Sequence, residues 1–140
     1  MPITKGYQQL VAEAMAEVTT YSVAEVQARM GDAAVQIVDI RDIRELAEGT
    51  VLGAYHAPRG MLEFWVDPAS PYHKPLFADE AREFILFCGA GWRSALAAKA
   101  LQEMGMRNVA HIDGGWAEWV RQGAPTETLE QQKARRKPKA

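Results

Sequence analysis

The chain has 140 residues, 48% of them apolar and 24% charged, with a net charge of −2, the composition of one soluble globular domain large enough to bury a core. No apolar run approaches the roughly 18–20 residues of a membrane span, and no long apolar stretch follows the N-terminus, so a cytoplasmic protein without a membrane association is expected. A single cysteine, Cys88, and three scattered histidines, His56, His73 and His111, exclude an internal disulfide and a multi-cysteine zinc site and point to neither a metal nor a cofactor.

The first predicted element is an amphipathic helix carrying Tyr7, Leu10, Val11, Ala14, Met15 and Val18 at steps of three and four. It forms an N-terminal extension over residues 1–19, free to pack on the domain or on a second copy of the chain, which leaves room for a homodimer. Ser22 and Glu25 have capping-box spacing and open a second helix that Gly31 can end. Val35 to Ile40 is rich in β-branched residues and reads as a strand. Asp42 and Glu45 repeat the capping-box spacing before Gly49.

Between Arg59 and Asp79, Pro68, Pro71 and Pro75 forbid a long regular element. The interleaved Phe64, Trp65, Tyr72 and Phe77 suit an ordered loop that packs down or acts as a lid. A helical turn is expected over Asp79 to Glu83. Phe84 to Phe87 is apolar on both faces, as a strand in the middle of a buried parallel sheet would be. From Ser94 the pattern turns helical and ends at Gly105. Val109 to Ile112 is a short strand, Asp113-Gly114-Gly115 a turn, and Trp116 to Arg121 a last helix closed by Gly123 and Pro125. Strands alternating with helices predict an α/β domain with a mainly parallel sheet over residues 20–125. Beyond it, five positive charges at Lys133, Arg135, Arg136, Lys137 and Lys139 leave the rest of the chain at −7 within the net −2. The acidic body argues against nucleic acid as a partner, and residues 126–140 read as a basic, disordered tail.

The chemistry concentrates in Phe87-Cys88-Gly89-Ala90-Gly91-Trp92-Arg93-Ser94. Cys88 stands where a buried strand ends, the position at which open α/β sheets form their sites. Gly89 and Gly91 let the backbone curl so that amide N–H groups point inward. The following helix adds the positive end of its dipole and Arg93 a full charge. Such a bowl favours a thiolate nucleophile. Trp92 either anchors the loop in the core or walls the mouth.

This loop resembles the active-site loop of the rhodanese sulfurtransferases. Three more segments resemble that family in order: Val38-Asp39-Ile40-Arg41 with Glu45 and Gly49, Gly53 to Pro58, and Asp113-Gly114-Gly115-Trp116 with Trp119. The resemblance implies a three-layer domain with a central, mainly parallel sheet flanked by helices. It also implies that Cys88 carries sulfur as a persulfide, cradled by Gly89, Ala90, Gly91, Trp92 and Arg93 with Ser94 starting the helix behind. Asp39 and Arg41 would be structural auxiliaries, and Gly114, Gly115 and Trp116 turn and core. Some thiosulfate-using members carry a basic residue in the loop and another after the first signature. This chain has Ala90 and Glu45 there, so capture of a dianionic donor rests on Arg93, helped by Arg59.

The expected substrates are therefore a small sulfur-containing anion or a persulfide donor, and a thiol, cyanide or protein thiol as acceptor. With one cysteine there is no internal resolving thiol. Two rivals share the architecture. A cysteine phosphatase or arsenate reductase characteristically has five residues between Cys and Arg, whereas four intervene here. A non-catalytic interaction module would not need Cys88, Arg93 and both loop glycines.

Overall fold

The computed structural model describes residues 2–136. In chain order the elements are α1 (Tyr7–Glu17), β1 (Thr19–Tyr21), α2 (Val23–Gln27), β2 (Val35–Asp39), β3 (Thr50–Val51), β4 (Tyr55–His56), α3 (Leu62–Val66), β5 (Glu83–Phe87), α4 (Trp92–Glu103), β6 (Val109–Ile112), α5 (Gly115–Arg121), β7 (Thr126–Glu127) and α6 (Leu129–Arg136). Short 3-10 turns cover Ile43–Glu48, Arg59–Met61 and Pro75–Ala78. Five strands form one parallel sheet in the order β1-β6-β5-β2-β4. The strand apolar on both faces, β5, lies at its centre.

Alternation along β5 divides the core in two. Phe84, Leu86 and Cys88 join one cluster with Val38, Ile40, Ala97, Ala98 and Leu101. Ile85 and Phe87 join the other with Val23, Val26, Ile37 and Trp119. α4 therefore covers one face and α2 with α5 the other, which gives the three layers.

Both capping boxes are present. Ser22 accepts from the Glu25 amide while Glu25 accepts from the Ser22 amide. Asp42 and Glu45 close the same kind of box on the 3-10 turn that Gly49 ends. Residues 59–78 are ordered: Tyr55 meets Trp65 and Phe77 edge-on, and Phe77 packs on Phe84 at 5.2 Å. Packing accounts for Trp65 and Phe77, while Tyr72 and Phe64 stay exposed. Asp79 to Arg82 makes a turn, and Glu83 already belongs to β5.

Two expectations need correction, and one alternative is resolved. α4 begins at Trp92, two residues earlier than the apolar rhythm suggests, because Gly91 takes the left-handed conformation at φ +96° as its N-cap. Of the two placements left open for α1, the structure shows packing along α4 of its own chain. The tail is ordered over its first eleven residues. β7 pairs antiparallel with β3, and Glu127, buried, accepts from Arg135, Gln132 and the Gly53 amide. Charge composition suggested disorder, but Arg135 has the buried Glu127 carboxylate to bind and Arg136 reaches the Ala54 carbonyl. Residues 137–140, with Lys137 and Lys139, lie outside the described part.

Candidate active site

β5 ends at Phe87 and delivers Cys88 to the carboxyl edge of the sheet. The backbone then turns through Gly89, Ala90 and Gly91 into α4. Cys88 is 1% exposed, yet its Sγ is not an inert apolar atom. The amides of Gly91 and Ser94 donate to it at 3.2 and 3.3 Å. The thiol in turn lies 3.6 Å from Ser94 Oγ as a donor. Along the loop that follows, Gly89 is half-buried and Ala90 exposed.

The loop is held from behind by the first turn of α5. The Trp116 amide donates to the Cys88 carbonyl at 2.8 Å and the Ala117 amide to the Gly89 carbonyl at 3.0 Å. In a trans peptide the N–H lies opposite the C=O, so the Gly89 and Ala90 amides turn away from α5. The close approach is possible only because residue 115 is glycine. A Cβ there would sit 2.4 Å from the Cys88 carbonyl oxygen, at φ +57°. Gly115, read from sequence as turn and core, thus fixes the direction of the loop peptides.

Trp92 is 53% exposed and does not anchor the loop in the core. Its ring packs against Tyr7 of α1 at 5.1 Å. Arg93 does not stand free over the sulfur either. Its guanidinium makes two bonds to Glu45, at 2.7 and 3.0 Å. That pairing holds the Glu45 carboxyl below its ordinary range and raises Arg93 against the opposing effect of burial, with Cys88 a smaller contributor. The second cation expected to help, Arg59, is paired with Glu63 at 2.7 Å. Each of the two cations expected to capture a dianionic donor thus has a carboxylate neighbour, which the sequence did not show.

Asp39 and Arg41 form a fully buried ion pair at 2.8 Å. Asp39 also accepts from Thr50 and from the Arg41 amide. Arg41 donates to the carbonyls of Glu45 and Gly49, and its guanidinium lies over Trp116 at 4.6 Å. These two residues tie the end of β2 to the following turn, and none of these contacts reaches Cys88.

Sequence reasoning missed a polar chain beneath the sulfur. Ser94 Oγ lies 2.9 Å from His111 Nδ1. His111 Nε2 lies 3.0 Å from Thr20 Oγ1 and 3.2 Å from Met15 Sδ. His111 is 1% exposed, and burial pushes its pKa down. The signal was available: a histidine inside the otherwise apolar strand Val109-Ala110-His111-Ile112 must find buried partners. His56 and His73 bind the backbone carbonyls of Arg41 and Trp65 instead. Among the described residues there is no cluster of potential metal ligands and no helix long and apolar enough to cross a membrane.

A cavity of about 800 Å³ lies at the opposite end of the sheet, between Val66, Phe77, Met104 and Asn108.

Comparison with known proteins agrees with this geometry. The rhodanese-like domain family matches residues 22–122. The chain is 27% identical over 113 residues to human thiosulfate:glutathione sulfurtransferase, covering 76% of this chain and 96% of that one. It is 33% identical over 85 residues to a thiosulfate sulfurtransferase of Shewanella oneidensis, covering 61% and 75%. Among solved structures, a protein of unknown function from Rhodopseudomonas palustris, described as a possible tyrosine phosphatase, superposes with a TM-score of 0.87 at 45% identity over 91% of this chain and 98% of that one. The polysulfide-sulfur transferase homodimer of Wolinella succinogenes superposes with a TM-score of 0.66 at 27% identity, over 87% of each chain. With 22–122 matched and the five-stranded parallel sheet in place, the chain belongs to the rhodanese-like domain family.

Proposed function

We propose that this chain is a sulfurtransferase that moves a sulfane sulfur from thiosulfate or a persulfide donor to cyanide or a thiol through a persulfide on Cys88. The observation that carries the reading is the pair of amide N–H groups, from Gly91 and Ser94, aimed at Cys88 Sγ. Fixed donors of this kind stabilise negative charge on sulfur without reorganising. The Cys88 thiolate attacks the donor's outer sulfur. A new Sγ–S bond forms, the donor's S–S bond breaks, and sulfite or a thiolate leaves with the bonding pair. An acceptor thiolate then attacks the outer sulfur and the Sγ–S pair returns to Cys88. Sulfur changes carrier without an external oxidant, in two half-reactions. The acceptor comes from outside, since Cys88 is the only cysteine.

The pairing of Arg93 with Glu45 and of Arg59 with Glu63 leaves little unopposed positive charge at the rim. That favours a donor less charged than thiosulfate, such as a persulfide of a small thiol or of a protein. Intact-mass analysis tests the reading: incubation with thiosulfate or glutathione persulfide adds about 32 Da to the native chain, one sulfur on the nucleophile, and nothing to Cys88→Ala. No adduct from either donor, and no Cys88-dependent transfer to cyanide or glutathione, would favour an interaction module instead.

The description of the Rhodopseudomonas relative keeps phosphatase chemistry as the second reading. Four residues between Cys88 and Arg93, and an Arg93 already held by Glu45, leave a ring too short and too little free charge for a tetrahedral phosphate dianion. Aryl phosphate turnover that disappears in Cys88→Ser would reverse this ranking.

A further inference from the structure

We propose that Ser94, His111 and Thr20 form a proton wire that carries the Cys88 thiol proton from the buried sulfur to the edge of the sheet, with His111 switching tautomer as the proton passes. The inference rests on the persulfide reading above.

The directions of the hydrogen bonds follow from the groups themselves. Met15 Sδ can only accept, and it lies 3.2 Å from His111 Nε2. Nε2 therefore carries the proton, and it also faces Thr20 Oγ1 at 3.0 Å. Thr20 directs its own hydroxyl proton toward Met15, 3.9 Å away. Nδ1 is then the acceptor of the neutral ring, so the Ser94 hydroxyl donates to it at 2.9 Å. That leaves the Ser94 lone pairs facing the Cys88 thiol at 3.6 Å. Every member has one donor and one acceptor in line, from Cys88 in the core to half-buried Thr20 on the edge strand β1.

A chain of this kind runs in either direction. When Cys88 is deprotonated, the Sγ proton moves to Ser94 Oγ and the Ser94 proton to His111 Nδ1. The Nε2 proton moves to Thr20 Oγ1, which then donates back to Nε2, while the original Thr20 proton turns from Met15 Sδ to water, Thr20 being half-buried on the edge strand β1. One proton has crossed from sulfur to solvent, and His111 is again neutral with its proton on Nδ1. Ser94 now donates to the sulfur, a third donor beside the amides of Gly91 and Ser94. When the acceptor thiolate removes the outer sulfur, the wire can run back and return a proton to Cys88. Burial suits His111 to this work, because it disfavours the imidazolium and keeps the ring in the form that both accepts and donates. Ser94 touches the reacting sulfur and is a catalytic residue; His111 and Thr20 act through it as positioning residues.

The direct test is long-range proton–nitrogen NMR of the histidine rings in the full chain, before and after loading with sulfur, with the adduct followed by mass. His111 is expected as the Nε2–H tautomer at rest and as the Nδ1–H tautomer in the loaded protein. Ser94→Ala should hold it in the resting form. The second readout is the pH profile of transfer. His111→Asn keeps a partner for Ser94 but has no second nitrogen toward Thr20, so kcat should fall about tenfold or more near neutral pH with KM unchanged. It should recover as pH rises, when hydroxide can take the thiol proton. A loaded protein with an unchanged His111 tautomer, or a pH profile unmoved by His111→Asn, overturns the wire while leaving the persulfide reading intact. If no adduct forms, that reading fails and the wire is judged by titrating Cys88 toward alkaline pH. A switch of His111 coincident with thiolate formation supports the wire, and its absence overturns it.

Discussion

Two buried polar networks lie at the carboxyl edge of the same sheet, and they are built on opposite principles. At the end of β2, the Asp39 carboxylate meets the Arg41 guanidinium, and Thr50 and backbone groups take up further hydrogen bonds of both. At the ends of β5 and β6, a thiol, a hydroxyl, an imidazole and a second hydroxyl follow one another without a formal charge. The first has its charges committed, so it fixes where a turn goes. The second is made of groups that are donor and acceptor at once, so its protons can be reordered without moving a heavy atom. Burial is common to both, and the difference in chemistry suits the first to bracing and the second to the proposed proton transfer.

Breaking the brace should have the largest effect on stability. Arg41→Ala leaves the Asp39 carboxylate buried without its partner, which costs about 3–5 kcal/mol and should lower the thermal midpoint by roughly 10 °C or more. The folded fraction should still take up sulfur on Cys88. A variant that melts like the native chain but loses sulfur uptake would move Arg41 into the working site.

Next in size is Gly115→Ala, which strikes the support shared by α5 and the Cys88 loop. The new methyl group must displace the Cys88 carbonyl from 2.4 Å, and the left-handed backbone alone costs about 1–2 kcal/mol in a residue with a side chain. A loss of sulfur uptake exceeding the loss of stability is expected. Native uptake would show that the direction of the loop peptides does not matter.

Acid should separate the two networks more gently. The folded His111 pKa lies below the ordinary imidazole value of 6.5, mainly because the ring is desolvated, with Asp113 the charged group opposing that shift. Above about 6.5 the ring is neutral folded or unfolded. As pH falls below that value the unfolded chain binds a proton that the folded chain refuses, so stability is lost between 6.5 and the lower folded value. Denaturant midpoints at stepped pH should show that slope in the native chain and less of it in His111→Asn; equal slopes would remove His111 as its source.

The smallest effect is expected at the rim. Glu45→Gln releases the Arg93 guanidinium from an exposed pair whose contribution to stability is about 0–1 kcal/mol. It should lower KM for thiosulfate severalfold while changing KM for an uncharged persulfide ester little. An equal change for both donors would mean that Arg93 is not the rim's charge selector.

What the sequence made legible follows the range of its signals. Cys88, its glycines and the strand before it are neighbours in the chain, so spacing and periodicity find them. Capping boxes at Ser22 and Asp42 are legible for the same reason. Glu45 was visible as a capping residue, but its second bond, to Arg93, joins two segments 48 residues apart. The contact of His111 with Thr20 spans 91 residues and depends on β1 pairing with β6. The order of residues 126–136 likewise needs Glu127 to be seen as the partner of Arg135. Long-range pairing of polar groups is what local pattern leaves open, and here it sets which groups pair at the rim and beneath the sulfur.

In the proposed function, Cys88 holds a transferable sulfur beside the donating amides of Gly91 and Ser94. The most direct measurement is mass analysis of the full chain loaded with a sulfur donor and then exposed to glutathione. The expected result is an added mass of about 32 Da on Cys88, one sulfur on the nucleophile, that disappears as glutathione persulfide is released. A chain that never gains that mass from thiosulfate or a persulfide, or gains it equally in Cys88→Ala, would contradict it.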